Sequence, residues 1–332
     1  MKEPAIDRAA LGPSATWQNL ERRAALLKSV RTFFDERGFL EVETPLLSAD
    51  VVVDRHLDPL AVTLPHDPRT PGVGRQMWLQ TSPEFAMKRL MAAGAKAIYQ
   101  VARAFRGGES GPLHNPEFTL LEWYRAGDDM AAAISLLSDL AEATLSRGPA
   151  VRIAYADAFQ KHVGLDPHRA SAADLAAAAR RLGVAAPETL EADDRDGWLD
   201  LLLVERVEQY LGRERPAILY DYPAGGATLA RLRGGPPPVA ERFELYVDGI
   251  ELANGYHELL DAAELRKRSA QANRLRARDG KPQLPEHSRL VEAMEAGLPP
   301  CAGVALGFDR LMMIACGTRQ LADVMAFPID RA

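Results

Sequence analysis

The chain has 332 residues, 47% of them hydrophobic, which suits one large domain or two with packed cores. Its net charge of −6 argues against the broad basic surface of a non-specific nucleic-acid binder, and two cysteines are too few for a disulfide framework. No apolar run reaches the ~18 residues of a membrane span, and the polar N-terminus lacks a signal peptide's apolar region, so we expect a cytoplasmic protein.

The predicted secondary structure begins after a loose tail over residues 1–15. Apolar residues recur at three- and four-residue spacing over 17–37, which predicts an amphipathic helix. The stretch FLEVETP alternates in polarity, which predicts a half-buried strand ended by Pro45. Residues 54–75 are rich in Pro, His and Gly and are predicted to be irregular or edge structure.

A short strand over MWLQT (77–81), a helix and two strands on either side of a polar loop are predicted next. Ser82 and Pro83 predict a helix start, because Ser is favoured as an N-cap and Pro at the first helical position. AIYQVARAF (97–105) and EFTLLEWY (117–124) are predicted strands. The two strands would form a hairpin around a polar loop.

The composition then changes, and residues 128–214 become rich in Ala and Leu with helical spacing. We interpret them as helices inserted between two halves of one sheet, without site chemistry. Strands resume over 241–261, a basic helix covers 262–280, and residues 303–317 predict a strand followed by a helix. Hairpin-linked strands with helices gathered apart from them predict an α+β fold around an antiparallel sheet, in one domain over 16–330.

The polar loop contains Arg106, Glu109, His114, Asn115 and Glu117 within a few residues. A guanidinium matches phosphate oxygens bidentately, so Arg106 is a candidate phosphate ligand. An ion pair between Arg106 and a loop carboxylate explains the same residue equally well.

Glu244 and Glu251 flank Asp248-Gly249, a strong signal for a two-residue hairpin. With that turn, alternation of side chains puts both carboxylates on one face as diagonal neighbours. Such a pair repels unless a cation lies between them, and Mg²⁺ held by carboxylates and nucleotide phosphates suits the pattern. A solvent-facing polar strand is the alternative interpretation.

Simple alternation from Glu251 puts Glu258 on the opposite face of the strand. A bulge near Asn254-Gly255 would return Glu258 to the face of Glu251.

In GVALGFDRL, Gly303 and Gly307 permit close approach of a ligand to the backbone. Asp309 is expected to cap the following helix. Arg310 lies in its first turn, where helix N-termini attract anions. Packing explains the glycines as well.

In this order, three segments resemble the signature motifs of class II aminoacyl-tRNA synthetases: FLEVETPLL, FRGGESGPLHNPEFTLLEWY and GVALGFDRL. TSPEFAMKRL, HNPEFT and ELANGYHEL are similar to stretches of lysyl-tRNA synthetases in particular. The resemblance spans about residues 16–330 and implies an antiparallel sheet flanked by helices, with a helical insertion between the second and third motifs. It also implies a homodimer built on the first motif.

Lysyl-tRNA synthetases carry an N-terminal anticodon-binding barrel, and the first motif here begins near residue 17, so we expect none. A free-standing domain of this kind is similar to the ligases that modify elongation factor P. That resemblance implies ATP-dependent activation of (R)-β-lysine as an acyl-adenylate and its transfer to a lysine of elongation factor P, not to tRNA. A truncated synthetase that charges tRNA, or an inactive binding or regulatory protein, are the alternatives.

The resemblance also implies residue roles. Arg106 would hold the α-phosphate of ATP and Arg310 the γ-phosphate, both as catalytic residues, while Glu244 and Glu251 would hold Mg²⁺. The other nucleotide-binding positions are Gly107, Gly108, Glu109, Asn115, Leu252 and Gly307. The amino-acid-binding positions are Ser82, Pro83, Glu84, Tyr124, Asn254, Glu258 and Ala305.

Five of these positions carry a more specific expectation. Carboxylates at Glu84 and Glu258 suit a substrate with two ammonium groups. The second motif usually has glutamate where Gly108 stands, so either Gly108 or Glu109 lines the nucleotide. Ala305 replaces a usual glycine, and its methyl group changes the pocket in a way that could favour β-lysine over α-lysine.

The basic stretch over 264–282 is either a docking patch for an acidic partner protein or a solvated helix face.

Overall fold

The computed structural model describes residues 11–332, so residues 1–10 of the predicted loose tail lie outside the described residues. The prediction is wrong at the end of that tail, because the amides of Ser14 and Ala15 donate to the carbonyls of Ala326 and Met325 at 2.8 and 3.1 Å, and Ala15 is buried. The strands are β1 (Leu40–Glu41), β2 (Leu47–Ser48), β3 (Ala61–Pro65), β4 (Gly74–Leu79), β5 (Ala97–Phe105), β6 (Glu117–Ala126), β7 (Val151–Ala154), β8 (Ala217–Pro223), β9 (Leu232–Arg233), β10 (Val239–Val247), β11 (Ile250–His257) and β12 (Cys301–Gly307). The helices are α1 (Trp17–Asp35), α2 (Glu84–Ala92), α3 (Met130–Leu145), α4 (Tyr155–Val163), α5 (Ala172–Arg181), α6 (Arg195–Leu202), α7 (Ala262–Arg278), α8 (Arg289–Gly297) and α9 (Phe308–Cys316). A π-helical turn (Leu203–Val207) and a 3-10 turn (Glu208–Tyr210) follow α6.

The main sheet has nine strands in the order β1-β5-β6-β12-β11-β10-β8-β7, with β9 paired to β10. All its neighbours are antiparallel except the pairs β1–β5 and β7–β8. A separate three-stranded sheet has the order β2-β4-β3. The predicted α+β fold around an antiparallel sheet is confirmed.

The main core lies between one face of this sheet and the helices α1, α3 and α9. Phe34 of α1 stacks on Tyr99 of β5 with ring centroids 4.6 Å apart, and it also contacts Trp123 of β6. Leu121 and Trp123 point into this core, whereas Leu120, Glu122 and Tyr124 point to the other face. The alternation along β6 therefore separates the core from the site.

The residues predicted as an inserted helical segment, 128–214, divide between two cores. Helix α3 packs in the main core, and β7 extends the main sheet beside β8. Helices α4 to α6 bury a second cluster against β8, which includes Phe159, Leu175 and Trp198. Only the helices after β7 thus form a second core, which they share with β8.

The first motif differs from its predicted pattern in one respect. Helix α1 is capped by Thr16, whose hydroxyl accepts a hydrogen bond from the Asn19 amide at 3.2 Å. The strand that follows is only two residues long, and Leu40 is 65% exposed while Phe39 is buried. The predicted half-buried alternation is wrong at Leu40, because Phe39 fills the core instead. Within residues 11–332, no helix is long and apolar enough to cross a membrane.

Candidate active site

A cavity of about 790 Å³ lies on the face of the sheet that α1 and α3 leave uncovered. Its lining includes residues of β6, β10, β11 and β12, the starts of α2 and α9, the loop between β5 and β6, residues 52–57, and part of the segment 194–208. Of the predicted site residues, Pro83, Gly107 and Gly108 fall outside this lining, and all the others belong to it. The fold thus brings together segments that are far apart in the sequence.

The hairpin of β10 and β11 has the predicted turn. Asp248 and Gly249 both have positive φ angles, 54° and 77°, as a type I′ turn requires. Tyr246 pairs with Glu251, and Leu245 pairs with Ala253, so Leu252 is an extra residue that forms a β-bulge.

The bulge at Leu252 puts Glu258 on the same face as Glu251, and both line the cavity. The predicted bulge therefore exists, but its predicted position near Asn254-Gly255 is wrong. Gly255 has another role, because a Cβ atom there would lie 2.4 Å from the Phe243 ring.

Arg310 is held at one end of the cavity by three neighbours. Its Nη1 donates to the Glu251 main-chain carbonyl at 3.0 Å, and its Nε donates to the Leu113 carbonyl at 3.3 Å. Its Nη2 lies 2.7 Å from Nε2 of His114. Burial and the Arg310 charge lower the pKa of His114, so the neutral imidazole accepts this hydrogen bond. The guanidinium is therefore positioned before any ligand binds.

Arg106 lies in the same cavity with its guanidinium 5.0 Å from the Phe118 ring centroid. Its nearest carboxylate, that of Glu109, is 3.8 Å away, which is beyond hydrogen-bond range. Its Nε donates to the Thr81 carbonyl at 3.5 Å, the limit of hydrogen-bond range, so Arg106 is only loosely held where it lines the cavity. Gly108 has a positive φ of 78° and lies outside the lining, whereas Glu109 belongs to it, so Glu109 is the one of the two that reaches the site.

Asp309 does not cap α9, contrary to the expectation from sequence. Its Oδ2 accepts from the Thr119 amide at 2.7 Å, and its Oδ1 lies 2.6 Å from Nη1 of Arg23. Asp309 therefore ties α9 to β6 and to α1. Asn115 has a similar role, because its side chain bonds the Glu117 carbonyl at 2.6 Å and the Ile329 amide at 2.9 Å.

Three carboxylates converge near Arg310. Glu244 is buried, and its oxygens bind Arg242 at 2.5 Å and the hydroxyls of Tyr246 (at 2.5 Å) and Tyr222. Glu251 is more accessible, with 39% of its side chain exposed, and its Oε2 lies 3.6 Å from Arg310. Burial and then the charge of Glu244 raise the pKa of Glu251.

The third carboxylate is Glu208, which lies 3.2 Å from the Tyr246 hydroxyl. Burial and the charges of Glu244 and Glu251 raise the pKa of Glu208 to about 7. This concentration of negative charge favours a bound cation. Glu251 could bind Mg²⁺ directly. Glu244 is less suited to this, because its oxygens already accept hydrogen bonds from three side chains. Among residues 11–332, no group of three or more His, Cys, Asp or Glu side chains could hold a metal alone, so phosphate oxygens would have to complete the coordination.

The other end of the cavity is a buried acidic pocket formed by Glu84, Glu122 and Glu258. The hydroxyls of Ser82 and Tyr124 each donate to the Glu122 carboxylate at 2.7 Å. Burial and then the charge of Glu84 raise the pKa of Glu122 to about 7. A ligand with ammonium groups complements such a pocket.

The backbone of β12 forms the floor of this pocket. A Cβ atom at Gly303 would lie 2.1 Å from the Tyr124 ring and 2.5 Å from Glu258 Oε1, so only glycine fits there. Ala305 pairs with Glu122 on β6 and with Asn254 on β11. Its methyl group therefore lies between two polar residues that line the pocket.

Several residues that line the cavity were not predicted from the sequence. For Glu122 the sequence did contain a sign of a site, because this carboxylate lies within the apolar run TLLEWY. A carboxylate in a buried strand is seldom found without a ligand or an ion-pair partner. Glu208, Asp194, Asp196 and Asp200 line the cavity from the region predicted to lack site chemistry. Their helical spacing resembles that of any solvated helix, so the sequence offered no signal for them.

The basic stretch over 264–282 is largely neutralised within the protein. Arg276 is buried and bonds the carbonyls of Asp54 and Leu57, and Lys281 pairs with Asp58 at 2.8 Å. Other pairs join Arg266 to Glu295, Lys267 and Arg268 to Glu264, and Arg278 to Asp194. These contacts favour a structural role over a docking patch, since they hold residues 54–58 against the cavity.

The chain is similar to known proteins over nearly its whole length. A family model described as tRNA synthetases class II (D, K and N) matches residues 11–331. Proteins from Salmonella arizonae, Salmonella dublin and Salmonella typhimurium, each named elongation factor P–(R)-beta-lysine ligase, are 46% identical over 326 residues, which is 98% of this chain and 99% of each relative. The chain therefore belongs to the family of class II tRNA synthetases of the D, K and N type, and to its branch of elongation factor P–(R)-beta-lysine ligases.

Proposed function

We propose that this protein activates (R)-β-lysine with ATP as an acyl-adenylate and transfers it to a lysine side chain of elongation factor P. The observation that carries the proposal is the two-ended cavity: Arg106 and Arg310 suit phosphates at one end, and Glu84, Glu122 and Glu258 suit ammonium groups at the other. The names of relatives that share nearly the whole chain support the same reaction.

In the first step, an oxygen of the β-lysine carboxylate attacks the α-phosphorus of ATP. The bond from that phosphorus to the bridging oxygen breaks, and pyrophosphate leaves. Arg106 would bind the α-phosphate, and Arg310, held by Glu251 and His114, would bind the γ-phosphate. Positioned cations of this kind lower the barrier by stabilising charge that develops in the transition state.

In the second step, the neutral amine of the acceptor lysine attacks the acyl carbon. An amide forms, AMP leaves with the electron pair of the broken bond, and the nitrogen loses a proton. Mg²⁺, held by Glu251 with Glu244 beside it, would neutralise charge on the phosphates. Glu109, Leu252 and Gly307 remain proposed nucleotide contacts, and Asn254 and Ala305 remain proposed amino-acid contacts.

Two further properties belong to the proposal. A homodimer through α1 and β1 is supported by exposed apolar side chains on these elements, Trp17 at 73% and Leu40 at 65%. An acceptor that acts in translation implies a cytoplasmic reaction.

ATP–pyrophosphate exchange tests the proposal. Exchange that depends on (R)-β-lysine, and is weaker with α-lysine, is the expected result. Absence of exchange with every diamino acid, from a folded protein, would overturn the proposed activation step.

A further inference from the structure

Behind the acidic pocket lies a buried lysine that the reaction itself does not require. Lys88 is 2% exposed and stands one helical turn after Glu84 on α2. Its Nζ lies 2.5 Å from Glu84 Oε1 and 2.5 Å from Glu258 Oε2. Lys88 does not line the cavity, whereas both of its carboxylate partners do. It therefore contacts the pocket walls from the protein side.

This arrangement leaves specific oxygens free for a ligand. Each carboxylate gives one oxygen to Lys88, so Oε1 of Glu258 and Oε2 of Glu84 remain. Glu258 is 1% exposed, and its Oε1 has no hydrogen-bond partner within the described chain. A buried carboxylate oxygen without a partner is costly, and a cationic group of a ligand would satisfy it.

The charges of the pocket can be counted. Glu84, Glu122 and Glu258 would carry three negative charges when ionised, and Lys88 carries one positive charge. Burial opposes the charged form of Lys88, but the carboxylates of Glu258 and Glu84 outweigh it and raise the pKa of Lys88, so this charge is permanent at neutral pH. With all three carboxylates ionised, the pocket has a net charge of −2, which the two ammonium groups of a bound diamino acid would balance.

We propose that Lys88 is a positioning and specificity residue: it orients Glu84 and Glu258, and it sets the charge of the pocket to match a dicationic amino acid. The proposal rests on the proposed function, because it assumes that this pocket binds the diamino substrate. Removal of Lys88 would leave two buried carboxylates side by side, and like charges in such a site share protons instead of both ionising.

The test compares Lys88→Met with the wild type and with Lys96→Met, a control that removes the same charge from the exposed residue after α2. We expect Lys88→Met to raise the KM for (R)-β-lysine at least about tenfold, with kcat and the KM for ATP little changed. The pH at which the KM for (R)-β-lysine is lowest should also be about one pH unit or more higher in Lys88→Met than in the wild type.

The upward pH shift follows from the groups that face Lys88. Burial raises the pKa of Glu258, Lys88 opposes that rise, and the charges of Glu84 and Glu122 add to it. The remaining groups around this cluster are Tyr124, Tyr256 and Cys301, whose pKa values burial raises. With Lys88 gone, the carboxylates ionise only at higher pH, and a purely structural role for Lys88 would not move the profile.

Lys88→Gln keeps a side chain that can hydrogen-bond both carboxylates and removes only the charge, so it provides the same test if Lys88→Met is insoluble. A wild-type KM and pH profile in either folded variant would overturn the proposal for Lys88. Absence of exchange by the wild-type protein would instead overturn the proposed function. The two failures are therefore distinguishable.

Discussion

Arg310 and Glu251 form the link between the third motif and the β10–β11 hairpin. The Arg310 guanidinium donates to the Glu251 main-chain carbonyl at 3.0 Å, and it lies 3.6 Å from the Glu251 carboxylate. One residue thus fixes the arginine through its backbone and keeps its own carboxylate beside it. A candidate anion-binding group and a candidate cation ligand are therefore adjacent in the ligand-free protein.

The phosphate end gives the first prediction. Arg106→Ala and Arg310→Ala should each lower the rate of pyrophosphate exchange by a factor of a hundred or more, because a transition-state contact of this kind contributes ~3 kcal/mol. Arg274→Ala, on the exposed face of α7, is the matched control and should retain full exchange. Near-normal exchange by either site variant, with an unchanged melting temperature, would contradict the assignment of that arginine.

The second prediction concerns the metal. Glu251→Gln should raise the Mg²⁺ concentration needed for half-maximal exchange, because Glu251 is the accessible carboxylate of the pair. Glu244→Gln should also raise this Mg²⁺ concentration. It should in addition lower the melting temperature, because Glu244 is bonded to Arg242, Tyr222 and Tyr246. The exposed Glu142→Gln is the control. Identical Mg²⁺ titrations for both site variants and the wild type would show that neither carboxylate binds the ion.

The pH dependence of substrate binding is the third prediction. Burial and the Glu84 charge raise the pKa of Glu122 to about 7, so this carboxyl is neutral below that pH and ionised above it. An ammonium group binds the ionised form better, so the KM for β-lysine should fall as pH rises through about 7. Glu122→Gln should remove this step, measured as KM between about pH 6 and pH 9. Persistence of the step in that variant would assign it to another group.

The fourth prediction concerns assembly. Most soluble homo-oligomers use twofold contacts, and we expect α1 and β1 to pair with their copies. Sedimentation at micromolar concentration should show a dimer, and Leu40→Asp should shift it to monomer. Leu64→Asp, at an exposed apolar position of the smaller sheet, is the control and should leave the dimer intact. A wild-type protein that sediments only as monomer would contradict this interface.

Local alternation and turn chemistry predicted the antiparallel sheet and the Asp248-Gly249 turn. They also made Arg106, Glu244, Glu251 and Arg310 candidate site residues, whereas the remaining site positions were implied by the family resemblance. The bulge at Leu252 was misplaced, since a bulge is set by how two strands pair and not by the residues of one strand. The partners of Asp309, which are Thr119 and Arg23, lie far away in the chain and required the tertiary structure.

The acidic pocket also has a feature that the sequence could not predict. Glu84 and Glu258 were predicted through a family resemblance, but the position of Lys88 between them depends on packing of α2 against the end of β11. In the sequence, Glu84 and Lys88 form an ordinary pair one helical turn apart, which on most helices is solvated. Burial, which the sequence does not reveal, makes this pair part of the acidic pocket.

The identity of the acceptor tests the account most directly. Enzyme, ATP and radiolabelled (R)-β-lysine are offered to elongation factor P and to tRNA in the same reaction, and the label on each acceptor is counted. We predict label on a lysine of elongation factor P and none on tRNA. Label on tRNA, with elongation factor P unmodified, would contradict it.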